Sequence, residues 1–338
     1  MIPKKVILDC DPGSDDAIAM MLAMKSDAID LIGVTTVNGN RIVPKTTENA
    51  LRVVQFMKSS VPVYRGCEEP IICNEIPGRK PGLPRVTLND CHGDFLPLPE
   101  AEIRTEKEHA VFYLVKTLME SEGDIYVAAV GPLTNLAMAL RIEPKIAGKI
   151  KQLVIMGGGH CGANASPAAE FNFYADPEAA KIVMDSAIPK VILPLDATWR
   201  ACLSEEKCKE LAQLGTPEAK VAAALVQKRI DNLKVNDVSE HNYALRHQAG
   251  TVAGAMLYRY DNHMAPIHDA LAIAYLINEN VVTELADANV DIDIAGGLCD
   301  GRMVADFHNT KKSKAPVTAK VALNSDAGLF TDMLFAAL

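Results

Sequence analysis

The stretch VILDCDPGSDDA, residues 6–17, packs four aspartates, Asp9, Asp11, Asp15 and Asp16, into eight residues directly behind a β-branched apolar run. The run predicts a buried strand and the residues after it predict a helix, so the acids collect where one hands over to the other. Ser14 as N-cap, with Asp15 and Asp16 in a first turn favoured by the helix dipole, accounts for two of them at about 0.3–1 kcal/mol each. It does not account for Asp9 and Asp11. Four carboxylates in one turn region repel and take up protons unless they share a cation. Oxygen donors with no Cys or His pattern beside them point to Ca2+ or Mg2+ rather than zinc, and Ca2+ tolerates irregular geometry and backbone carbonyl ligands. Strand alternation sets Asp9 and Asp11 on one side of the strand end, so that one can hold an ion while the other supports it. Such an ion lowers the pKa of a water it holds and a nearby carboxylate takes the proton, which predicts hydrolysis.

Outward from this stretch, short Val/Ile-rich runs alternate with segments of helical period: KKVILD then AIAMMLAMKS, IDLIGVTTV then PKTTENALRVVQFMKS, DIYVAAV then LTNLAMALRI, KQLVIMG then DPEAAKIVMDS. Alternation of this kind implies right-handed crossovers and an α/β fold, with a mainly parallel central sheet flanked by helices. Such sheets bind ligands outside the carboxyl ends of their strands. The residues to collect are therefore Asp9 to Asp16, Asn38 to Asn40, Val130 and Gly131, Met156 to Gly159, and Asp196. No seam divides the apolar segments, so residues 1–338 are expected to form one domain. Residues 74–100, rich in proline and glycine, break the rhythm and read as a long surface loop and candidate lid. Residues 216–266 read as a mixed-charge, mobile helical region.

A net charge of −9 without a dense Lys/Arg stripe argues against a nucleic-acid binder. Eight cysteines without a CxxC pair fit reduced thiols. The chain enters a strand almost at once and holds no apolar run of membrane-spanning length, so a soluble, cytoplasmic protein is expected. Two further segments supply chemistry. In MAPIHDALAIAYLI, His268 and Asp269 open an apolar helix; alone, they read as a loop histidine and a first-turn acid. In GANASPAAEFNFYADPEAA, Asn164, Glu170 and Asn172 are ordinary loop residues by themselves, and with the aspartates they make a hydroxyl-binding set suited to a sugar.

Seven motifs run in order along the chain: DCDPGSDDA (9–17), TTVNGN (35–40), GPLTNLA (131–137), MGGG (156–159), AEFNFYADPEAA (169–180), HDALA (268–272) and VADF (304–307). Together they resemble the inosine-uridine-preferring nucleoside hydrolase family over nearly the whole chain. The resemblance implies a Rossmann-like domain that hydrolyses the N-glycosidic bond of ribonucleosides with bound Ca2+, as a homodimer or homotetramer. It implies Asp11 as general base and ion contact, Asp16 and Asp269 as ion ligands, and Val130 as a ligand through its backbone carbonyl. Asp15 is implied to receive the 2′-hydroxyl and Asp269 the 3′-hydroxyl, with Asn40 orienting the metal site and sugar. Met156, Asn164, Glu170 and Asn172 complete the implied ribose set, and His268 matches the histidine associated with protonating the departing base. Carboxylates around an oxocarbenium-like transition state favour its positive charge over the neutral substrate, and direct displacement by water implies inversion.

The resemblance thins at CHGDFLPLP, residues 91–99. The family commonly has HGxSGxG here; His92 and Gly93 persist, and Phe95, Leu96 and Pro97 replace the later positions. Phe95 reads either as a stacking residue or as a buried anchor. His92, Phe95, Tyr258, Tyr260, Asn262 and His263 are the candidate base-side residues, and purine, pyrimidine and modified bases all stay open. Two other readings remain. VILDCD resembles the strand start of aspartate-based phosphohydrolases, although Pro12-Gly13 follows where those have Thr or Val; the same scaffold could also bind nucleosides or sugars without turnover.

Overall fold

The computed structural model describes residues 2–72, 74–76, 92–235, 263–308 and 316–338. Its first strand, β1 (Lys4–Cys10), is fully buried from Val6 onward, as expected of a parallel strand covered on both faces. Val6, Leu8 and Cys10 point into one apolar layer with Ile18, Met21 and Leu22 of α1 (Ser14–Lys25), while Ile7 points into the other. The period-2 alternation of the sequence thus becomes two cores, one on each face.

The strands that follow are β2 (Ile29–Thr36), β3 (Val63–Arg65), β4 (Ile125–Ala129), β5 (Ile150–Met156), β6 (Lys190–Leu193), β7 (Cys202–Ser204), β8 (Met264–Pro266), β9 (Val282–Ile292), β10 (Met303–Asp306) and β11 (Ala319–Ser325). Among the described residues, eight of these join β1 in one sheet in the order β10-β9-β11-β6-β5-β4-β1-β2-β3, and β7 and β8 make a separate antiparallel pair. Every neighbouring pair from β3 through to β11 is parallel; β9 and β10 are added antiparallel at one edge. From β1 the chain builds outward through β2 and β3 on one side, then returns to lay β4, β5 and β6 on the other. The order reverses between β1 and β4, which puts the expected ligand crevice at the ends of these two strands, after Cys10 and Ala129.

The helices are α2 (Val43–Phe56), α3 (Ala110–Glu120), α4 (Thr134–Ile142), α5 (Phe171–Ala175), α6 (Pro177–Met184), α7 (Leu195–Thr198), α8 (Glu205–Gln213), α9 (Pro217–Val235), α10 (His268–Ile277) and α11 (Ala327–Ala337). Their starts follow local chemistry: Glu170, Asp176, Ser204 and Asp326 accept backbone N–H groups at the heads of α5, α6, α8 and α11. α1 is buried over Ser14 to Ala23 because α9 and α10 pack against it. None of the described helices is long and apolar enough to cross a membrane.

The surface-loop reading of residues 74–100 changes at its described end. Leu96 N donates to Asn49 Oδ1 at 2.9 Å, and the Arg52 guanidinium donates to the carbonyls of Leu96 and Leu98. Leu96 is 2% exposed, and burying a leucine contributes about 1.5–3 kcal/mol, so this end is fixed along α2. Residues 77–91 lie outside the described residues, as does most of the expected helical region, 236–262.

Candidate active site

Asp9, the last acid inside β1, is fully buried. Its Oδ1 accepts from Thr35 Oγ1 at 2.6 Å and Asn135 Nδ2 at 2.8 Å, and burial still pushes its carboxyl up to about 6. Asn135 Oδ1 in turn accepts from Cys67 N. Asp9 therefore braces the strand ends and does not face the crevice.

Asp11 does. Its Oδ2 accepts the Asn40 backbone N–H at 2.5 Å, and the Asn40 amide donates to the Asp11 carbonyl at 3.1 Å. Gly39 and Gly131 leave room for this carboxylate: a Cβ on Gly39 would lie 2.0 Å from Oδ2, and one on Gly131 2.6 Å from Oδ1. Burial, then repulsion from Asp16, pushes the Asp11 carboxyl well above the usual carboxylate range.

The helix after it begins differently from the expectation. The N-cap of α1 is Gly13, not Ser14. Asp16 reaches back to accept from Gly13 N at 2.9 Å and Asp11 N at 3.2 Å, which holds the turn without the serine. Ser14 instead meets His92: its backbone N–H donates to Nδ1 at 3.1 Å, with its hydroxyl also 3.1 Å away. An amide can only donate, so Nδ1 accepts and a neutral His92 carries its proton on Nε2.

Asp269, in the first turn of α10, closes the group. One carboxylate oxygen from each of Asp15, Asp16 and Asp269 lies within 4.8 Å of the others, and all three residues are buried. Burial, then repulsion from Asp15, raises Asp16 to about 6; burial, then Asp15, Asp16 and Asp11, pushes Asp269 well up. Asp15 differs: against the upward push of burial, Arg229, His92 and His268 hold its carboxyl below the usual range. Buried like charges forced toward protonation, all offering oxygen, are the donor set of a hard divalent cation, so the residues present fit Ca2+ or Mg2+. This group holds Asp15 beside the expected Asp16 and Asp269, while Asp11 Oδ2 accepts the Asn40 N–H.

The ribose-side candidates line the adjoining strand ends. The amide of Asn172 donates to the carbonyls of Val130 at 2.8 Å and Met156 at 3.1 Å, tying β4 and β5 together beside Asp11. Glu170 is buried and accepts from Gly158 N, Asn172 N and Phe173 N. Asn164 is exposed, and its side-chain carbonyl accepts from Phe171 N. Asp196 takes the N–H groups of His160 and Cys161, so this strand-end acid shapes the glycine loop.

The base-side candidates divide. His92 sits 3.9 Å from Asp15 Oδ1, beside the cluster. Phe95 is not a buried anchor: 44% exposed, it packs under the Arg52 and Lys45 cations of α2, and Leu96 is the anchor. His263 is exposed and faces Glu205, Nδ1 to Oε2 3.5 Å. Tyr258, Tyr260 and Asn262 lie outside the described residues. His268 Nδ1 is 2.8 Å from the buried Thr198 hydroxyl at the end of α7.

Residues 6–332 match the family described as inosine-uridine preferring nucleoside hydrolase. The chain belongs to this family. A relative named pyrimidine-specific ribonucleoside hydrolase RihB, from Escherichia coli O157:H7, is 36% identical over 333 residues, covering 96% of this chain and 95% of its own. Among solved structures, a purine-preferring ribonucleoside hydrolase from Gardnerella vaginalis superposes with TM-score 0.82 at 25% identity, covering 99% of this chain and 98% of that one. A plant nucleoside hydrolase superposes with TM-score 0.80 at 26% identity, covering 99% of both chains. The present protein is thus a ribonucleoside hydrolase with the family's mainly parallel fold.

Two residues of this nucleoside hydrolase escaped the sequence reading. Thr198 reaches His268 across 70 positions, and Arg229 pairs with Asp15 across more than 200; only the fold joins them.

Glu170 has a measurable consequence. Burial, opposed by its backbone donors, raises its carboxyl to about 7. The folded state therefore holds this proton more tightly than the unfolded chain, so stability from this group is full below the unfolded value near 4.5 and is lost as pH rises through 7. In thermal melts of metal-free protein from about pH 5 to pH 8, Glu170→Gln is expected to flatten this decline, whatever its absolute stability. An unchanged slope would remove Glu170 from the pH response.

Proposed function

We propose that this nucleoside hydrolase cleaves pyrimidine ribonucleosides, giving free base and ribose, with Ca2+ held at the aspartate cluster. The buried oxygen group of Asp15, Asp16 and Asp269 beside Asp11 carries the reading, and the 36% identity to a relative named pyrimidine-specific supports the base. Asp16 and Asp269 of this group, with Asp11 and the Val130 carbonyl, would hold the ion, leaving Asp15 at its edge for the sugar. Bound there, the ion supplies countercharge to the carboxylates and acidifies water.

The chain's own groups do the rest. Asp11, held by Asn40, takes the proton of the attacking water. Asp15 and Asp269 receive the 2′- and 3′-hydroxyls, with Asn40 beside them, while Glu170, Asn164, Asn172 and Met156 hold the far side of the sugar. As the glycosidic bond lengthens the sugar becomes cationic, and the surrounding carboxylates favour that state. His268, with Nδ1 engaged by Thr198, gives its proton to the departing base from Nε2. His92, carrying its proton on Nε2, is the base-side donor beside the 2′-hydroxyl site. The reading extends to a cytoplasmic homodimer or homotetramer, which sedimentation and cell fractionation would report.

Ribose release is measured from uridine, cytidine, inosine, adenosine and guanosine, before and after chelation and after Ca2+ or Mg2+ is restored. Uridine and cytidine are expected to lead, with activity lost on chelation and recovered with Ca2+. Faster purine cleavage would overturn the base assignment; full activity in chelated, metal-free protein would overturn the role of the ion.

A further inference from the structure

The first turn of α1 offers Asp15 to the crevice, and α9 answers it. Arg229 Nη1 lies 2.9 Å from Asp15 Oδ2, with the two side chains only 11% and 7% exposed. His92 Nδ1 approaches the other oxygen, Oδ1, at 3.9 Å. The two oxygens are thus divided: one is committed to a guanidinium on α9, the other faces the base-side turn. The helix is seated on that turn as well, since Lys228 Nζ comes within 3.0 Å of where a Cβ on Gly93 would lie.

A positive charge in a site that must favour a cationic sugar is costly to catalysis unless it does something the carboxylates cannot. Here it pairs with one oxygen of a carboxylate and restrains how that group can swing. With Oδ2 paired to Arg229, Oδ1 is the oxygen left without that partner to accept a hydroxyl hydrogen, and the pair restrains the group from swinging into the metal cluster with both oxygens.

We propose that Arg229 is a positioning residue that fixes the Asp15 carboxylate for the substrate 2′-hydroxyl, and so sets the preference of this enzyme for ribonucleosides over 2′-deoxyribonucleosides. The inference rests on the 2′-hydroxyl role of Asp15 proposed above. Arg229 touches no reacting atom; it acts through Asp15, and its loss costs most where a 2′-hydroxyl is present to be read.

The test compares kcat and KM for uridine and 2′-deoxyuridine in wild type, Arg229→Gln, Asp15→Asn and the double variant. Arg229→Gln is expected to lower the uridine-to-2′-deoxyuridine ratio of kcat/KM by roughly ten- to a hundredfold, mostly through uridine. In the Asp15→Asn background the same substitution is expected to change the ratio less than about twofold, because the carboxylate it positions is gone. A ratio in Arg229→Gln within twofold of wild type, or losses that multiply in the double variant, would overturn the inference. If Arg229→Gln does not fold, Arg229→Lys takes its place: it keeps the charge but not the planar fork, so a reduced ratio supports the positioning role and an unchanged one overturns it. Wild type that releases no ribose from either substrate would overturn the function reading itself, whereas release with unaltered sugar preference would overturn this inference alone.

Discussion

Asp11→Asn is expected to lower kcat for ribose release roughly 10²–10⁴-fold, with the fold and the crevice intact. The substitution is nearly isosteric, and its amide oxygen can still accept the Asn40 N–H that holds Asp11 in place. What it removes is the ability to take a proton. The position is closely fitted, because a side chain on Gly39 or Gly131 would collide with the carboxylate oxygens. Without a cation, burial and Asp16 push the wild-type carboxyl up, and a bound ion would offset that push and favour the ionised form that accepts a proton. Asp11→Ala should cost at least as much. Single-turnover ribose release, beside thermal melts and metal content of the same preparations, separates a chemical defect from a lost ion. Near-wild-type turnover in folded, metal-loaded Asp11→Asn would end the general-base assignment.

His268→Ala should split two classes of substrate. For uridine and cytidine the departing base needs a proton, and loss of a positioned donor lowers kcat by roughly 10²–10⁴-fold. For p-nitrophenyl riboside the leaving group departs as a stable anion, so the rate should change little. Thr198 sharpens the expectation: its buried hydroxyl, at the end of α7, engages Nδ1 and orients the ring. Equal slowing of both classes would place His268 in the architecture of the site and take the leaving-group role from it.

Much of this arrangement was legible in the residues. Alternating runs announced the parallel sheet and its two covered faces, since β1, β2, β4, β5 and β6 each carry a run of three or more buried residues. The antiparallel additions were harder: β9 is largely exposed and polar at its start, so burial does not write a strand pattern into VTELADA. In the site, the density of aspartates after β1 pointed to a cation, and the sugar-binding polar set was visible between β5 and α6. The missed parts are those made by long-range contact. No spacing rule links Arg229 to Asp15 or Thr198 to His268, and the aromatic ring of Phe95 was drawn outward by two cations on α2. The N-cap was misread because Asp16, three residues on, satisfies the turn and frees Ser14 for His92.

The fully buried Asp9 matters to how the chain finds this structure at all. Its bonds to Thr35 on β2 and Asn135 on α4 can form in one alignment of β1 with its neighbours, in which Asp9 stands opposite Thr35 and Ala129. A slip by one residue would turn Asp9 into the opposite apolar layer, where a carboxylate has no donors, and would swing Asp11 away from Asn40. The same bonds that brace a strand end therefore act as a proofreading device in assembly: a sheet closed out of register is penalised by a stranded charge before it can present a misdirected base.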